Sequence, residues 1–374
     1  AGLCECLRDK NSLVRRDAAT ALGSMGEAGA RAGRPLIELV KSESDNVVKK
    51  TALDSLARIA GLEQADSAKD LEPLLKDKDP EIRLPAAIVL ARIGGEQGAL
   101  GLPVLREALK DRDKTNRELA AASLSKIGPA AKPAMYDLVD ALNDESNSVP
   151  ARRFAALALA HIGPDAEPVV PAVAKALQRT QPDEVRFYAA EALAQIGYPA
   201  NKKAVASIFD AINNDSYRNV RQKCVWALFG MNQREFKVSG ADEVLTKRLD
   251  ERKEMWALVR YDAARKLAQV LLDEAPDKTA DVLLEMYRDK SLQVYYGTNA
   301  NVEGSGTEAS KGRTNVNENR GGDARYMAVE AMGWLGKKAS GRDDVVKAIR
   351  QAAKDRNVKL RKTAKEALTN LGLD

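Results

Sequence analysis

The chain has 374 residues, of which 44% are hydrophobic, 5% aromatic and 30% charged, a composition typical of a helix-rich soluble protein. No apolar run reaches the ~20 residues that a membrane-spanning helix needs, so we expect no membrane insertion. Three cysteines and one histidine exclude a disulfide framework and any histidine cluster, and a formal net charge of +5 is far below that of a dedicated nucleic-acid binder.

One pattern of the form L-x-x-[I/M/V/L]-G returns along the chain, which is the sequence signature of a repeat architecture. Its first residue, called here the key leucine, marks ten positions: Leu22, Leu56, Leu90, Leu124, Leu159, Leu193, Leu228, Leu267, Met332 and Leu368. Met332 stands in place of leucine, and the glycine is replaced after Leu56, Leu228 and Leu267. The first six intervals are 34 or 35 residues, and the interval from Leu267 to Met332 is 65. The spacing predicts ten repeats, the ninth of which carries an insertion.

Each repeat is predicted to contain two helices. The second places apolar residues on one helical stripe around the key leucine and ends at glycine, which readily adopts the left-handed backbone conformation that terminates a helix. The first helix is shorter and often carries a proline near its start, as at Pro35, Pro103 and Pro171, where proline begins or kinks a helix.

Two further columns accompany the key leucine. Four positions before it stands a small residue, alanine in nine repeats and Cys224 in the seventh, so we interpret Cys224 as a small buried apolar residue rather than a reactive thiol. Seven positions before it stands a basic residue: Arg15, Lys49, Arg83, Arg117, Arg152, Arg186, Arg221, Arg260, Arg325 and Arg361. An arginine fork reaching turn carboxylates or carbonyls of adjacent repeats would form a ladder. A phosphate track is the alternative, disfavoured because five of these residues follow an aspartate six positions earlier.

These features together resemble HEAT repeats, most closely the short bacterial type related to the phycobilin-lyase repeats. The resemblance covers nearly the whole chain and implies an all-α fold, an α-solenoid or alpha-alpha superhelix of about ten two-helix repeats, forming a single domain over 1–374. HEAT proteins serve mainly as scaffolds and adaptors, and a few are enzymes. Deoxyhypusine hydroxylase, one such enzyme, needs several His-Glu pairs, whereas His161 stands alone and is followed by Ile162. With no nucleophile elbow, Walker loop or zinc motif in the sequence, we expect no catalytic activity, cofactor or metal.

The insertion at 291–322 is rich in Gly, Asn, Ser and Thr and lacks helical periodicity. A long loop of this kind is usually either functional or disordered. Tyr295 and Tyr296 at its start favour contact with a partner, because adjacent exposed tyrosines are good contact anchors. At the chain ends, the N-terminus is expected to be trimmed or processed and the C-terminal repeat to be a polar cap. Unpaired cysteines slightly favour a cytoplasmic location.

In the second helix, the positions six and two before the key leucine, and two after it, form an i, i+4 line, called here the second-helix line. In HEAT-like stacks this helix lines the concave face, so we expect the line to be exposed. Apolar Leu84, Ile88 and Leu157 stand on it in the third and fifth repeats. Five aromatic residues follow in later repeats, interleaved with charged residues that include Arg153 and Arg265: Phe187, Trp226, Tyr261, Tyr326 and Trp334. Such a row is typical of a protein-binding surface, and burial of the rings between adjacent repeats is the alternative.

The leading functional hypothesis is a non-catalytic scaffold that grips a protein partner along the concave surface of repeats six to nine and through the 291–322 loop. The same surface could organise an enzyme complex or assemble copies of this chain into an oligomer. The alternative hypothesis is a nucleic-acid binder that uses Arg153, Trp226, Tyr261 and Arg265 in the groove. Acidic residues on the same line weaken that alternative.

Overall fold

The computed structural model describes residues 2–289 and 324–373. Every regular element in these two ranges is a helix, and the helices form an α-solenoid, which confirms the predicted fold class. The described chain forms two compact units, Ala1–Ala211 and Ile212–Asp374, called here the N-terminal and C-terminal units. The predicted loop at 291–322, with Tyr295 and Tyr296, lies outside the described residues. A single domain over 1–374 and the repeat count remain predictions.

In the N-terminal unit, the second helices of successive repeats pack against one another in order. They are α2 (Ser12–Ser24), α4 (Asn46–Ile59), α5 (Pro80–Ile93), α8 (Lys114–Ile127), α10 (Val149–Ile162) and α12 (Asp183–Ile196). The first helices form a second layer on them: α1 (Gly2–Cys6), α3 (Gly33–Ser42), α6 (Gly95–Leu100) with α7 (Leu102–Ala108), α9 (Met135–Asn143) and α11 (Val170–Lys175). In the third repeat the first helix is instead a 3-10 helix, Leu62–Lys76, with Pro73 inside it.

In the C-terminal unit, α17 (Ala257–Leu271) packs against α14 (Arg218–Trp226) on one side and α19 (Arg325–Trp334) on the other. The last second helix, α22 (Val358–Asn370), packs against α19. The remaining helices are α13 (Val205–Asn214), which spans the boundary between the units, and α15 (Gln233–Ser239), α16 (Ala241–Arg248), α18 (Asp277–Arg288), α20 (Lys337–Ser340) and α21 (Asp343–Ala352).

The ends of the second helices follow local sequence signals. In six of them a polar residue caps the N-terminus by accepting a hydrogen bond from a backbone N–H two or three residues ahead, as Asp45 does from Val47. Several end at a glycine with positive φ, such as Gly94 at 81° and Gly163 at 71°. In the eighth repeat the glycine is missing, and Leu272 adopts a φ of 54° at the end of α17.

The small-residue column lies in the core, as predicted. All ten of its members are buried: Ala18, Ala52, Ala86, Ala120, Ala155, Ala189, Cys224, Ala263, Ala328 and Ala364. Cys224 is fully buried, and this burial raises the pKa of its thiol above the ordinary value. Because a thiol that stays protonated is a poor nucleophile, the structure supports a packing role for Cys224.

The arginine column forms a ladder with two sets of contacts. In seven of these residues one guanidinium nitrogen donates to turn carbonyls five or six residues earlier, as Arg221 Nη1 does to Asp215 O at 2.8 Å. The rest of the fork reaches a side chain of the following repeat in six cases: Arg15 to Glu43, Arg117 to Asn147, Arg152 to Gln181, Arg221 to Glu254, Arg260 to Glu285 and Arg325 to Asp355. The structural interpretation of this column is therefore confirmed.

The aspartates that precede these arginines also shape the turn through their side chains. Asp9, Asp77, Asp111, Asp215 and Asp355 each accept a hydrogen bond from the backbone N–H two residues ahead. They fold the turn between the two helices, because a short carboxylate bonded in this way holds an Asx-turn. The main-chain carbonyl of each of these five residues accepts a hydrogen bond from the arginine six residues later.

Candidate functional site

Tyr261, one of the five aromatic residues expected to be exposed on the second-helix line, is buried with an exposed fraction of 1%. Its hydroxyl donates to Glu285 Oε1 at 3.1 Å and lies 3.3 Å from Asp289 Oδ2, so the ring points toward α18. Burial raises the pKa of this hydroxyl. The prediction of an exposed Tyr261 was therefore wrong, because the neighbouring first helix supplies acceptors that hold the ring inside the stack.

Trp226 is half-buried and takes part in a polar network between α14 and α17. Its Nε1 donates to Asp262 Oδ2 at 2.8 Å, and Gln222 Nε2 donates to the same oxygen at 2.7 Å. Arg265 Nη1 lies 3.5 Å from the other carboxylate oxygen of Asp262, which is fully buried. These contacts satisfy a buried carboxylate, so they tie both predicted contact residues, Trp226 and Arg265, to the packing of two helices.

Four further predicted residues are half-buried: Phe187, Tyr326, Trp334 and Arg153. The Phe187 ring meets Tyr188 edge-on with centroids 5.0 Å apart, and Lys359 Nζ lies 3.6 Å from the centroid of the Tyr326 ring. Arg153 Nη1 is 2.6 Å from Glu184 Oε1. Like Arg265, it is paired with a carboxylate, so neither arginine contributes an uncompensated positive charge to a nucleic-acid site.

A cavity of about 520 Å³ opens in the N-terminal unit between α4, α5, α7 and α8. It is called here the α5 cavity. Its apolar lining is Leu84, Pro85, Ile88, Val104, Ala108 and Leu119, and its charged lining is Lys50, Asp54, Glu81, Arg83, Glu107, Asp111 and Asp113. Leu84, Ile88 and Asp54 stand on the second-helix line, so this is where the structure gives that line an open apolar surface.

The two cations at the α5 cavity are already engaged. Lys50 Nζ lies 2.8 Å from Glu81 Oε2, and Arg83 Nη1 donates to the carbonyls of Asp77 and Lys78 at 2.9 and 3.1 Å. The lining residues that remain without a hydrogen-bond donor from the described part of the chain are Asp54 and Glu107. Desolvation raises the pKa of Asp54, although Lys50 and Arg58 oppose this and its side chain remains accessible to water.

A second cavity of about 540 Å³ lies among α1, α2 and α3. Here the charges are matched, because Arg8 pairs with Glu38 at 3.2 Å and Arg15 with Glu43 at 2.7 Å. The Arg15 guanidinium lowers the pKa of the Glu43 carboxyl, as a hydrogen-bonded cation does. This cavity therefore lacks the uncompensated carboxylates of the α5 cavity.

Comparison with known families identifies the repeated unit. Residues 1–57, 34–125, 68–150 and 135–229 match the sequence profile of HEAT repeats, so the matches span residues 1–229 of 374, more than half of the chain. This chain belongs to the HEAT-repeat family. No curated protein gave a match.

Solved structures that resemble this HEAT-repeat protein include a designed armadillo repeat protein, with 17% identity, a TM-score of 0.40, and coverage of 62% of this chain and 99% of that one. An engineered protein has 21% identity and a TM-score of 0.39, covering 61% of this chain and 96% of its own. A structure from work on a phosphorylation switch in the interaction between cadherin and beta-catenin has 15% identity and a TM-score of 0.46, covering 99% of this chain and 90% of that one.

One exposed surface of the HEAT-repeat chain was missed by the sequence analysis. In the turn before α17, Met255 is 84% exposed and Trp256 is 46% exposed, and the Arg218 guanidinium carbon lies 3.7 Å from the centroid of the Trp256 ring. The second-helix line does not include the turns, so these residues were not considered. Adjacent Met and Trp in a short turn are the signal that would have revealed them.

The described residues offer little for other kinds of site. Within 2–289 and 324–373, no three or more His, Cys, Asp or Glu side chains are grouped so as to hold a metal ion. No helix in the same ranges combines the length and apolar character needed to cross a membrane. His161 is exposed and its Nδ1 lies 2.6 Å from Ser125 O, so its visible contact is to the preceding repeat.

Proposed function

We propose that this HEAT-repeat protein is a non-catalytic scaffold that binds a protein partner through the exposed faces of its second helices. The observation that carries the proposal is the α5 cavity, where half-buried Leu84 and Ile88 and exposed Leu119 present apolar surface to its opening. Apolar clefts with a few polar groups at their edges are where proteins take up ligands and partner side chains. HEAT repeats, which stack into long continuous surfaces, suit this role.

The half-buried aromatic residues Phe187, Tyr326 and Trp334 serve in this proposal as secondary contacts. Tyr261 is not a proposed contact, because its ring is buried. Trp226 is also not one, because its Nε1 donates to Asp262 within the chain. The loop at 291–322, with Tyr295 and Tyr296, remains a proposed additional contact. The proposed partner is a protein, which includes a component of an enzyme complex or a second copy of this chain.

The test compares proteins captured from the native source by the intact chain and by a Leu84→Gln/Ile88→Gln double variant, using quantitative mass spectrometry. We expect specific partners of the intact chain to be depleted from the variant by about tenfold or more, because polar groups in an apolar contact remove its favourable burial. A Val238→Gln variant is the matched control, since Val238 is an exposed apolar residue remote in sequence from the cavity. Equal capture by all three proteins would refute the placement at the α5 cavity.

The described residues that were predicted for nucleic-acid binding do not favour that alternative. Arg153 and Arg265 are each paired with a carboxylate, and the lining of the α5 cavity carries more acidic than basic groups. A shift assay with random duplex DNA at about 50 mM salt checks this directly, since phosphate contacts bind strongly at low salt. Salt-dependent binding in that assay would reopen the alternative.

A further inference from the structure

The charges around the α5 cavity favour one kind of occupant. Its lining contains five carboxylates, Asp54, Glu81, Glu107, Asp111 and Asp113, and two cations, Lys50 and Arg83, giving a formal local charge of 2 − 5 = −3. The whole chain carries +5. The cavity is therefore an acidic site on a basic protein, and its electrostatic preference is opposite to that of the chain as a whole.

Two carboxylates at the cavity have no hydrogen-bond donor from the described residues. Lys50 and Arg83 are held by Glu81 and by turn carbonyls, as described above, whereas Asp54 and Glu107 have no donor. Pro85 lies inside α5 and has no N–H, so it cannot donate the helical hydrogen bond to the carbonyl of Glu81. An occupant that supplies donors completes these two carboxylates, whereas the net negative charge of the lining disfavours an occupant with carboxylates or phosphates.

The floor of the cavity is apolar. Leu84, Ile88 and Val104 contribute aliphatic surface to it, and its volume of about 520 Å³ falls in the range of ordinary binding pockets. Lysine and arginine combine an apolar stem with a cationic donor group, so their stems can lie on such a floor while the charged heads remain at the rim. A neighbouring large apolar side chain would fill the remaining floor.

We propose that the α5 cavity docks a basic segment of a partner protein, in which one large apolar side chain is flanked by arginine or lysine. The apolar residue packs on Leu84, Ile88 and Val104, and the cationic groups pair with Asp54 and Glu107. The inference rests on the scaffold function and specifies the chemistry of its partner. Arginine suits the site better than lysine where both oxygens of one carboxylate are free, because its planar fork makes two parallel bonds.

The test measures binding of fluorescein-labelled synthetic peptides to the full chain by anisotropy. Four peptides share one length: a central Phe flanked by Arg, the same Phe flanked by Glu, the same Phe flanked by Gln, and an Arg-flanked peptide with Ala in place of Phe. We expect the Arg–Phe peptide to bind about tenfold or more tightly than the Gln–Phe and Arg–Ala peptides, and the Glu–Phe peptide to show no binding. The affinity of the Arg–Phe peptide should fall as the salt concentration is raised, because exposed ion pairs are screened.

Variants locate the binding site. Asp54→Asn/Glu107→Gln should weaken the Arg–Phe peptide about tenfold or more, since each change removes one carboxylate and nearly preserves its shape. Asp66→Asn/Glu72→Gln is the matched control: it removes the same charge from exposed positions in the neighbouring 3-10 helix that do not line the cavity. The control variant should bind the peptide as the intact chain does.

Each outcome decides between the two proposals. Equal binding of the Gln–Phe or Glu–Phe peptide, or equal weakening by both double variants, overturns the basic-segment inference and leaves the scaffold function standing if Leu84→Gln/Ile88→Gln still loses its partners. Absence of binding by every peptide also overturns the inference. If, in addition, the Leu84→Gln/Ile88→Gln variant captures the same proteins as the intact chain, the scaffold function at this cavity fails with it.

Discussion

Replacement of Arg221 by methionine tests the arginine ladder at an ion pair whose carboxylate is fully buried. Arg221 Nε and Nη2 each lie 2.7 Å from a carboxylate oxygen of Glu254, and the two side chains are 11% and 0% exposed. The same guanidinium bonds the carbonyls of Asp215 and Ser216 at 2.8 and 3.3 Å. In the Arg221→Met variant, the described bond left to the Glu254 carboxylate is from the Trp256 backbone N–H at 3.1 Å.

The expected cost follows from the buried charge that is left behind. Breaking a buried ion pair by removing one partner costs about 3–5 kcal/mol, whereas an exposed pair contributes about 0–1 kcal/mol. We therefore expect Arg221→Met to lower the free energy of unfolding of the C-terminal unit by about 3–5 kcal/mol. The control is Lys237→Met, which breaks the exposed Lys237–Glu274 pair of the same unit and should cost less than about 1 kcal/mol.

The assay is urea denaturation followed by tryptophan fluorescence. All three tryptophans, Trp226, Trp256 and Trp334, lie in the C-terminal unit, so the signal reports on the unit that contains Arg221. An Arg221→Met/Glu254→Gln double variant should recover part of the loss, because the buried charge is gone. A cost below about 1 kcal/mol for Arg221→Met, or a double variant less stable than the single one, would refute the reasoning.

Three further predictions concern buried groups. Lys266 is buried, and desolvation lowers its pKa from 10.5 to about 8. Between these two values the unfolded state binds more protons than the folded state, so the free energy of unfolding should rise with pH across that window. Urea denaturation at about pH 8 and about pH 10 should show this rise in the intact chain and not in Lys266→Met, and a fall relative to that variant would contradict the prediction. A Cβ on Gly333 would lie 2.8 Å from Ala367 Cβ and 3.0 Å from its Cα. Gly333→Ala should therefore lower the free energy of unfolding by roughly 1–3 kcal/mol, because it forces α19 and α22 apart. An unchanged thermal midpoint would show that the packing can adjust. Cys224 should resist a thiol reagent in the native protein and react in urea, whereas half-buried Cys4 and Cys6 should react in the native protein. Immediate modification of all three thiols would argue against the burial of Cys224.

The sequence by itself determined the elements whose signals are local and repeated. The key leucines, the small column with Cys224, and the arginines such as Arg221 recur at a spacing close to one repeat, and a fixed helical period places each column on the same side of its helix. The ends of several second helices are likewise set by a local signal, a glycine such as Gly94 or Gly163. These features can be predicted without knowing which residues of other helices pack against them.

Only the tertiary structure decided which side chains remain accessible and which groups meet. Tyr261 stands on a line that helical geometry places at the surface, yet Glu285 and Asp289 of the next helix draw its hydroxyl inward and bury the ring. Asp54 and Glu107 are far apart in the sequence, and the stacking of repeats brings both to one cavity. The physical reason is that a periodic pattern fixes the direction of a side chain from its own axis, whereas exposure and pairing depend on the neighbouring helices and on the particular residues they present.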